Sequence, residues 1–515
     1  MKWLLVLAVS LCVSVQSYHI LCVFPVPTSS HNILGKGIVD SLLNAGHEVT
    51  WVTPYPPKDL KKGLNIIDAS DTIQVIKGID VIASSKLGLA GLSLVKAQSR
   101  NFSTLALTPE LKATLINKQF DAVVTEMFFS DYAAVQQVPW IVLSGSVLQP
   151  SLLSLVDAAN SVPLIPMIFT NYDIPMSFFQ RVVTAGMLLL QRDKVQFLLQ
   201  YEKMFAKIAA ARGVELPPYE AALHNISVLF VNTHPTLAPS QSLPANAVEI
   251  GGYHINENIP PLPKDLQNLL DSSTLGVVYF SMGSVMQSAS LPENTRSELL
   301  KVFGALPYTV LWKFEEELSG LPKNVHIRKW MPQGSILAHP NVKVFVTHGG
   351  ILSNIEALYH GIPLIAIPLY GDQPANAERA AASGYAIRLQ FDTDTLAAQL
   401  REALKEMLGT DRYYKQAKNL SSLFTKRPVA PSKLISHYIE VAIQSKGNYH
   451  LRSKALLYPW YQRCMLDIAA FVLSILLALY IVIKGIVNFV LGLCKGKESN
   501  VKVNEGKGKK KVKQN

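Results

Sequence analysis

The chain is poor in cysteine and in charge, and each shortage excludes a class of protein. Four cysteines occur in 515 residues. Cys12 lies in an apolar leader, Cys22 in an expected buried strand, and Cys464 and Cys494 flank a long apolar run. That is no disulfide framework, and no ligand pattern of a metal site accompanies it. No cofactor and no metal is expected. Charged residues make up 17% of the chain against 49% hydrophobic, which excludes a disordered polymer and suits a large core. The net charge of +11 is concentrated at one end, because Lys495 to Asn515 holds eight Lys and two Glu. The remainder is only weakly basic, so no nucleic-acid partner is expected. No tandem repeat of short period is present.

The two ends carry the long hydrophobic runs. Residues 1–17 read as a signal peptide: Lys2 is followed by the apolar stretch Trp3 to Val15, and Val15-Gln16-Ser17 ends in a small residue. Near the other end, Ile468 to Ile483 is sixteen residues without a charge. Extension to 464–490 reaches the length of a transmembrane helix, with Asp467 and Lys484 near the interfaces. The basic tail 491–515 then faces the cytoplasm and everything before the span is lumenal. Lys511 and Lys513, five and three places from the end, resemble a dilysine retrieval signal of the endoplasmic reticulum. Asn101, Asn225 and Asn419 each open an Asn-x-Ser sequon, so N-glycans are candidates.

Between the ends the patterning is that of two parallel-sheet α/β halves. Tyr18 to Phe24, a helix from Ile38 to Ala45 and a strand Val49 to Thr53 form a β-α-β opening. Phe120 to Thr125 and Trp140 to Ser144 read as later strands of that sheet. Long helical segments rich in Leu, Phe and Met fill Leu152 to Arg212, where they can line an apolar pocket, lie against a membrane, or simply pack together. The Pro- and Gly-bearing stretch Leu243 to Pro263 reads as a linker. A second series comes after it, with strands at Gly276–Ser281, Thr309–Phe314, His326–Lys329, Val342–Thr347, Pro363–Pro368 and Ala386–Leu389. The expected segments are an N-terminal domain 18–245, a linker 246–270, a C-terminal domain 271–445 and a pre-membrane segment 446–463. Two such halves leave a cleft between the carboxyl ends of their sheets.

The densest chemistry lies between Val342 and Gln373. A strand runs into His348-Gly349-Gly350 and then a helix from about Ser353 to Tyr359. Glycines at such a turn let backbone N–H groups approach an anion, and the helix dipole adds to the attraction. His348 and Ser353 can add donors, which makes this a diphosphate site. Glu356 is spaced to take a ribose diol. Asp372-Gln373 comes after the next strand and suits hexose hydroxyls.

The run Phe-Val-Thr-His-Gly-Gly with Ser353, Glu356, Pro363, Pro368 and Asp372-Gln373 resembles the signature of the UDP-glycosyltransferase family, and Met127-Phe128-Phe129-Ser130-Asp131 with Leu369-Tyr370-Gly371-Asp372-Gln373 is most similar to its insect branch. Phe280-Ser281-Met282-Gly283-Ser284 and Trp330-Met331-Pro332-Gln333 extend the likeness. The resemblance implies a GT-B type fold of two Rossmann-like domains and transfer of a hexose from a UDP-sugar. By that likeness Trp330 stacks on uracil and Gln333 bonds its edge. Ser281, Gly283, Ser284, His348, Gly350 and Ser353 approach the diphosphate, Glu356 holds the ribose, and Asp372 and Gln373 hold the sugar. Leu352 departs from relatives that carry Asn four residues after the histidine. The donor is expected to be UDP-glucose or UDP-glucuronate, and the acceptor a small lipophilic hydroxyl compound. The setting is the endoplasmic-reticulum membrane, and self-association is compatible with it.

A general base must come from the other half. His31 lies just after the first strand on the cleft edge, and an imidazole near its ordinary pKa suits neutral-pH catalysis. The family's usual Asp at the end of the strand Phe120–Thr125 is here Glu126. Asp131 is the alternative partner, and Asp121 a weaker one because it precedes the strand. A single displacement would invert the anomeric centre. Other readings are a glycosyltransferase for lipid or protein acceptors and a catalytically silent nucleotide-sugar binder. The presence of His31 with a carboxylate candidate argues against silence.

Overall fold

The computed structural model describes residues 17–77, 91–126, 129, 131–147, 150–158, 170, 172, 174–190, 195–240 and 242–505. The expected signal peptide lies outside these residues except for Ser17.

The first sheet has seven strands: β1 His19–Val23, β2 Glu48–Thr53, β3 Leu64–Asp68, β4 Ala122–Glu126, β5 Trp140–Ser144, β6 Ile226–Val231 and β7 Ala247–Glu249. Their order is β3-β2-β1-β4-β5-β6-β7, and every pair is parallel. The second sheet has six: β8 Val277–Ser281, β9 Thr309–Lys313, β10 Val325–Arg328, β11 Val342–Thr347, β12 Leu364–Ala366 and β13 Ala386–Arg388. Its order is β10-β9-β8-β11-β12-β13, again all parallel. Central strands such as VVYFS in β8 and WIVLS in β5 are buried throughout. This is why they read as apolar runs rather than as an alternation.

Six helices frame the site, the seam between the halves and the C-terminal segment: α1 Ser29–Asn44, α2 Gln333–Leu337, α3 Ile351–His360, α4 Gln373–Ala382, α5 Pro431–Gln444 and α6 Leu466–Glu505. Helix α1 begins at Ser29, well before the expected Ile38, because the Thr28 side chain accepts the His31 backbone N–H and caps the first turn. The expected linker is also more ordered than its Pro and Gly suggest. It supplies β7 to the first sheet and enters a helix at Lys264–Ser272.

Helix α5, grouped by sequence with the second series, packs instead against the first half. Its Ile435, Ile439 and Ala442 join the cluster formed by Ile20, Ile38, Val39 and Val124. On its polar side Glu440 accepts from His47 Nε2 at 3.1 Å, and Gln444 Nε2 donates to the Tyr18 hydroxyl at 3.4 Å. An apolar face at helical spacing cannot say which sheet it will cover.

Residues from Ser453 onward form a unit of their own. Within it, Leu466–Leu493 is 28 residues with mean hydropathy 2.7, and its apolar side chains are exposed. It is long and apolar enough to cross a membrane.

The core of the second half is aromatic. Trp312 stacks on Phe280 with ring centroids 5.4 Å apart, and meets Phe303 and Phe314 edge-on at 5.4 and 4.9 Å. Trp312→Ala should lower stability by about 3–5 kcal/mol, the usual cost of emptying such a site. A urea-unfolding midpoint unchanged from the parent protein would contradict this placement.

Candidate functional site

Both sheets reverse strand order at one point, and the site residues cluster at these two points. In the first sheet β1 pairs with β4 on one side and β2 on the other. The loop after β1 leads into α1, and β4 ends at Glu126. In the second sheet β8 neighbours β11, with Ser281 level with Thr347. Ligands bind at the carboxyl ends of parallel strands at such switch points, because the flanking loops part there.

His31 lies in the first turn of α1 rather than ahead of the helix. Its Nδ1 is 2.6 Å from Glu126 Oε1. The extra methylene of Glu, relative to Asp, spans the distance from the strand end to the ring. The carboxylate is 5% exposed and the imidazole 39%, so one ring edge meets solvent while the other is locked. An ionised carboxylate only accepts, so Nδ1 carries the proton and Nε2 is the basic nitrogen. Burial opposes charging of the ring. It is outweighed by the Glu126 charge and hydrogen bond, with Asp372 adding, and the His31 pKa is raised. Water at the exposed edge limits the size of this effect. The side chain of the alternative partner, Asp131, lies outside the described residues, as do Met127, Phe128 and Ser130. Asp121 is at the opposite end of the strand, where its Oδ2 takes the His19 backbone N–H at 2.7 Å. It does not face His31.

The loop expected at the diphosphate is built from backbone. Ser281 Oγ accepts the Gly283 N–H at 3.3 Å, and Ser284 is exposed beside it. Gly283 has φ +86°, and a Cβ there would sit 2.6 Å from His348 Cε1. A Cβ on Gly350 would sit 2.5 Å from His348 Nε2. The imidazole is therefore wedged between two glycine backbones, which no larger residue permits. Gly350 caps α3 and Gly349 supplies the left-handed turn, φ +79°. Burial pushes His348 down to about 4, so at neutral pH it offers a hydrogen bond, not a charge. A cation does lie close. Lys313 Nζ donates to the Gly283 carbonyl at 2.9 Å and to Glu315 Oε1 at 2.7 Å. Sequence spacing gave no sign of it, since Lys313 ends a strand in a different part of the chain.

Trp330 is 63% exposed, so it is not a core residue and its face is open for stacking. Gln333 Nε2 donates to Glu356 Oε2 at 2.7 Å and to Ser353 Oγ at 3.3 Å. The structure thus gathers the residues expected at uracil, diphosphate and ribose. Burial drives the Glu356 carboxyl up to about 7, and the Gln333 bond only partly offsets this.

Asp372 and Gln373 open helix α4. Gln373 Oε1 accepts the Leu369 and Tyr370 backbone N–H groups at 2.9 and 3.3 Å, which commits its amide oxygen to the turn before α4. Asp372 Oδ2 accepts from Asn376 Nδ2 at 2.9 Å. It also accepts from Ser146 Oγ at 2.7 Å, and Ser146 belongs to the loop after β5 of the first sheet. Arg379, buried on the same helix, donates from Nη1 to Asn376 Oδ1 at 3.4 Å. The sequence does not mark Ser146, because its place depends on how the halves meet, whereas Asn376 and Arg379 follow Asp372 at helical spacing on α4. Leu352, where some relatives have Asn, is buried in a cluster with first-half residues such as Leu34 and Val39. Its side chain serves the domain contact.

Among the described residues no group of three or more His, Cys, Asp or Glu is arranged to hold a metal ion. An Asp-x-Asp pair does occur at Asp392 and Asp394, and Asp392 Oδ1 takes the Asp394 backbone N–H in a turn before the helix Leu396–Leu408.

Comparison with known proteins shows the family and the fold. Residues 94–501 match the family described as "UDP-glucoronosyl and UDP-glucosyl transferase". The chain is 32% identical to UDP-glycosyltransferase UGT5 of Dactylopius coccus, over 94% of this chain and 95% of that protein. It is 30% identical to UDP-glucosyltransferase 2 of the same organism, over 91% and 92%. Among solved structures, the calicheamicin glycosyltransferase CalG4 aligns with TM-score 0.55 at 18% identity, over 84% of this chain and 99% of that one. That likeness is one of GT-B fold. The chain belongs to the UDP-glucoronosyl and UDP-glucosyl transferase family and is a UDP-glycosyltransferase.

Proposed function

We propose that the enzyme transfers glucose from UDP-glucose to a hydroxyl of a small lipophilic acceptor, with inversion and with His31 as general base. The observation that carries this reading is the 2.6 Å contact of His31 with Glu126, in a ring that also senses the charge of Asp372. The acceptor hydroxyl gives its proton to His31 Nε2 as its oxygen bonds to the sugar C1. The C1–O bond to the β-phosphate breaks, and UDP leaves with the electron pair. Attack opposite the leaving group turns an α-linked donor into a β-glycoside. Glu126 holds the ring and stabilises the imidazolium that forms.

In the same proposal Trp330 stacks on uracil, Gln333 bonds its edge and Glu356 binds the ribose diol. The Ser281–Ser284 loop, His348, Gly350 and Ser353 hold the diphosphate, and Asp372 and Gln373 hold the sugar. The α3 N-terminus, these donors and Lys313 are suited to neutralise the leaving diphosphate without a metal. UDP-glucuronate is the second reading. It is favoured by Arg379, a cation one hydrogen-bonded residue away from Asp372. The acceptor would bind between Pro54 and Arg212, much of which lies outside the described residues. We further propose an endoplasmic-reticulum membrane protein with a lumenal site, glycosylated at Asn101, Asn225 or Asn419, which are all exposed.

His31→Ala should reduce kcat by about 10²- to 10⁴-fold, the usual contribution of a general base. UDP affinity by calorimetry should be unaffected, and unchanged turnover would refute the assignment.

The pH profile tests the pair. The base acts when neutral and its pKa is raised, so kcat/KM should rise with pH through a value above the ordinary 6.5. Glu126→Gln removes the charge and should move that limb to lower pH while lowering the plateau. A limb that stays in place would separate Glu126 from His31.

Gly283→Ala should weaken UDP binding by at least about tenfold, since a 2.6 Å clash with His348 must be relieved at a φ that L-residues avoid. Calorimetry on the folded variant reads this directly. Donor identity is decided by competition: labelled UDP-glucose and UDP-glucuronate, offered together with a phenol panel, should yield mainly glucosides.

A further inference from the structure

We propose that His254 is a positioning residue for the donor ribose, acting through Glu356. This rests on the reading of Glu356 as the ribose acceptor.

His254 comes after β7 in the turn Gly251-Gly252-Tyr253-His254, in the segment that joins the halves. Its side chain is 2% exposed, and neither ring nitrogen has a hydrogen-bond partner among the described residues. Unpaired buried polar groups are costly, and each calls for a functional or structural explanation. The polar atom in reach is Glu356 Oε1, 4.0 Å from Nε2. That gap is about 1 Å too long for a hydrogen bond.

Glu356 has only one oxygen committed. Oε2 takes the Gln333 amide at 2.7 Å, and Gln333 is the residue expected to turn to the uracil edge. Once Gln333 does so, a buried carboxylate would be left with the ribose hydroxyls alone. Burial already holds its carboxyl up to about 7, so a second donor is needed to keep it ionised and accepting. His254 Nε2–H supplies that donor by closing the gap to Glu356. Burial pushes the His254 ring down to about 4, so it contributes one N–H and no net charge.

The ring is presented from a fixed point. The Tyr253 hydroxyl donates to the Leu34 carbonyl of α1 at 3.0 Å. A Cβ on Gly37 of α1 would sit 2.8 Å from the Tyr253 ring and 3.2 Å from His254 Cα. The linker turn is thus pressed onto the helix that carries His31. Closure of His254 on Glu356 requires the turn to stay in register with the first half, so ribose capture reads whether the halves are correctly joined.

The test uses the detergent-solubilised full chain with UDP and 2′,3′-dideoxy-UDP as probes in calorimetry. The parent protein should prefer UDP. His254→Leu should weaken UDP about tenfold, the loss expected of one hydrogen bond to a charged group, and leave dideoxy-UDP within about twofold. His254→Gln, which restores an N–H, should recover most of the preference. His254→Phe keeps the ring volume and serves if the Leu variant does not fold. Equal losses on both probes would mean that the ring only packs the linker, and would overturn the proposal. So would an unchanged preference in His254→Leu. Glu356→Ala is the control: it should abolish the preference by itself. If it does not, Glu356 is not the ribose acceptor and that underlying reading fails. If it does while His254→Leu has no effect, only the role given to His254 fails.

Discussion

Parallel pairing at the two switch points is the constraint on which the site depends. Strands β1 and β4 lie side by side although nearly one hundred residues separate them, and β8 and β11 pair in the same way. Parallel strands end at the same edge, so the loops leaving them are delivered to one place. On one side that places His31 against Glu126. On the other it places the Ser281–Ser284 loop against His348 and the start of α3. Neither grouping needs a long or unusual loop, because hydrogen-bond register does the positioning.

The two groupings differ in kind. The donor side relies on backbone. Glycines at 283 and 350 press on a neutral imidazole, and a helix terminus adds a partial charge that cannot be titrated away. The base side relies on one short contact between titratable groups, in which a buried carboxylate holds a half-exposed ring. In the proposed roles, diphosphate binding would depend little on pH, while proton transfer would respond to it.

The seam between the halves is held from several directions. Ser146 reaches Asp372, α5 crosses to cover the first sheet, Arg427 Nη1 donates to the Gly251 carbonyl at 2.6 Å, and Leu352 fills a first-half cluster. Leu352 marks a divided role. Where a polar residue could touch the sugar, an apolar one here consolidates the contact between halves.

The sequence by itself determined the parallel α/β class, the positions of most central strands, the apolar C-terminal helix and the glycine turn between β11 and α3. These are local signals: buried parallel strands are continuous apolar runs, and the donor loops are short turns with glycine at set offsets. It missed β3, with its mixed burial, and β6 and β7, of which β7 is three residues inside a Pro- and Gly-bearing stretch. It started α1 too late, because the Thr28 cap lies in a turn-like stretch. Only the tertiary structure decided that Glu126 spans to His31, that α5 covers the first sheet, that Ser146 reaches Asp372 and that Lys313 reaches the Gly283 carbonyl. Each depends on which surfaces meet across the fold, and residues far apart in the chain leave no periodic trace of that meeting.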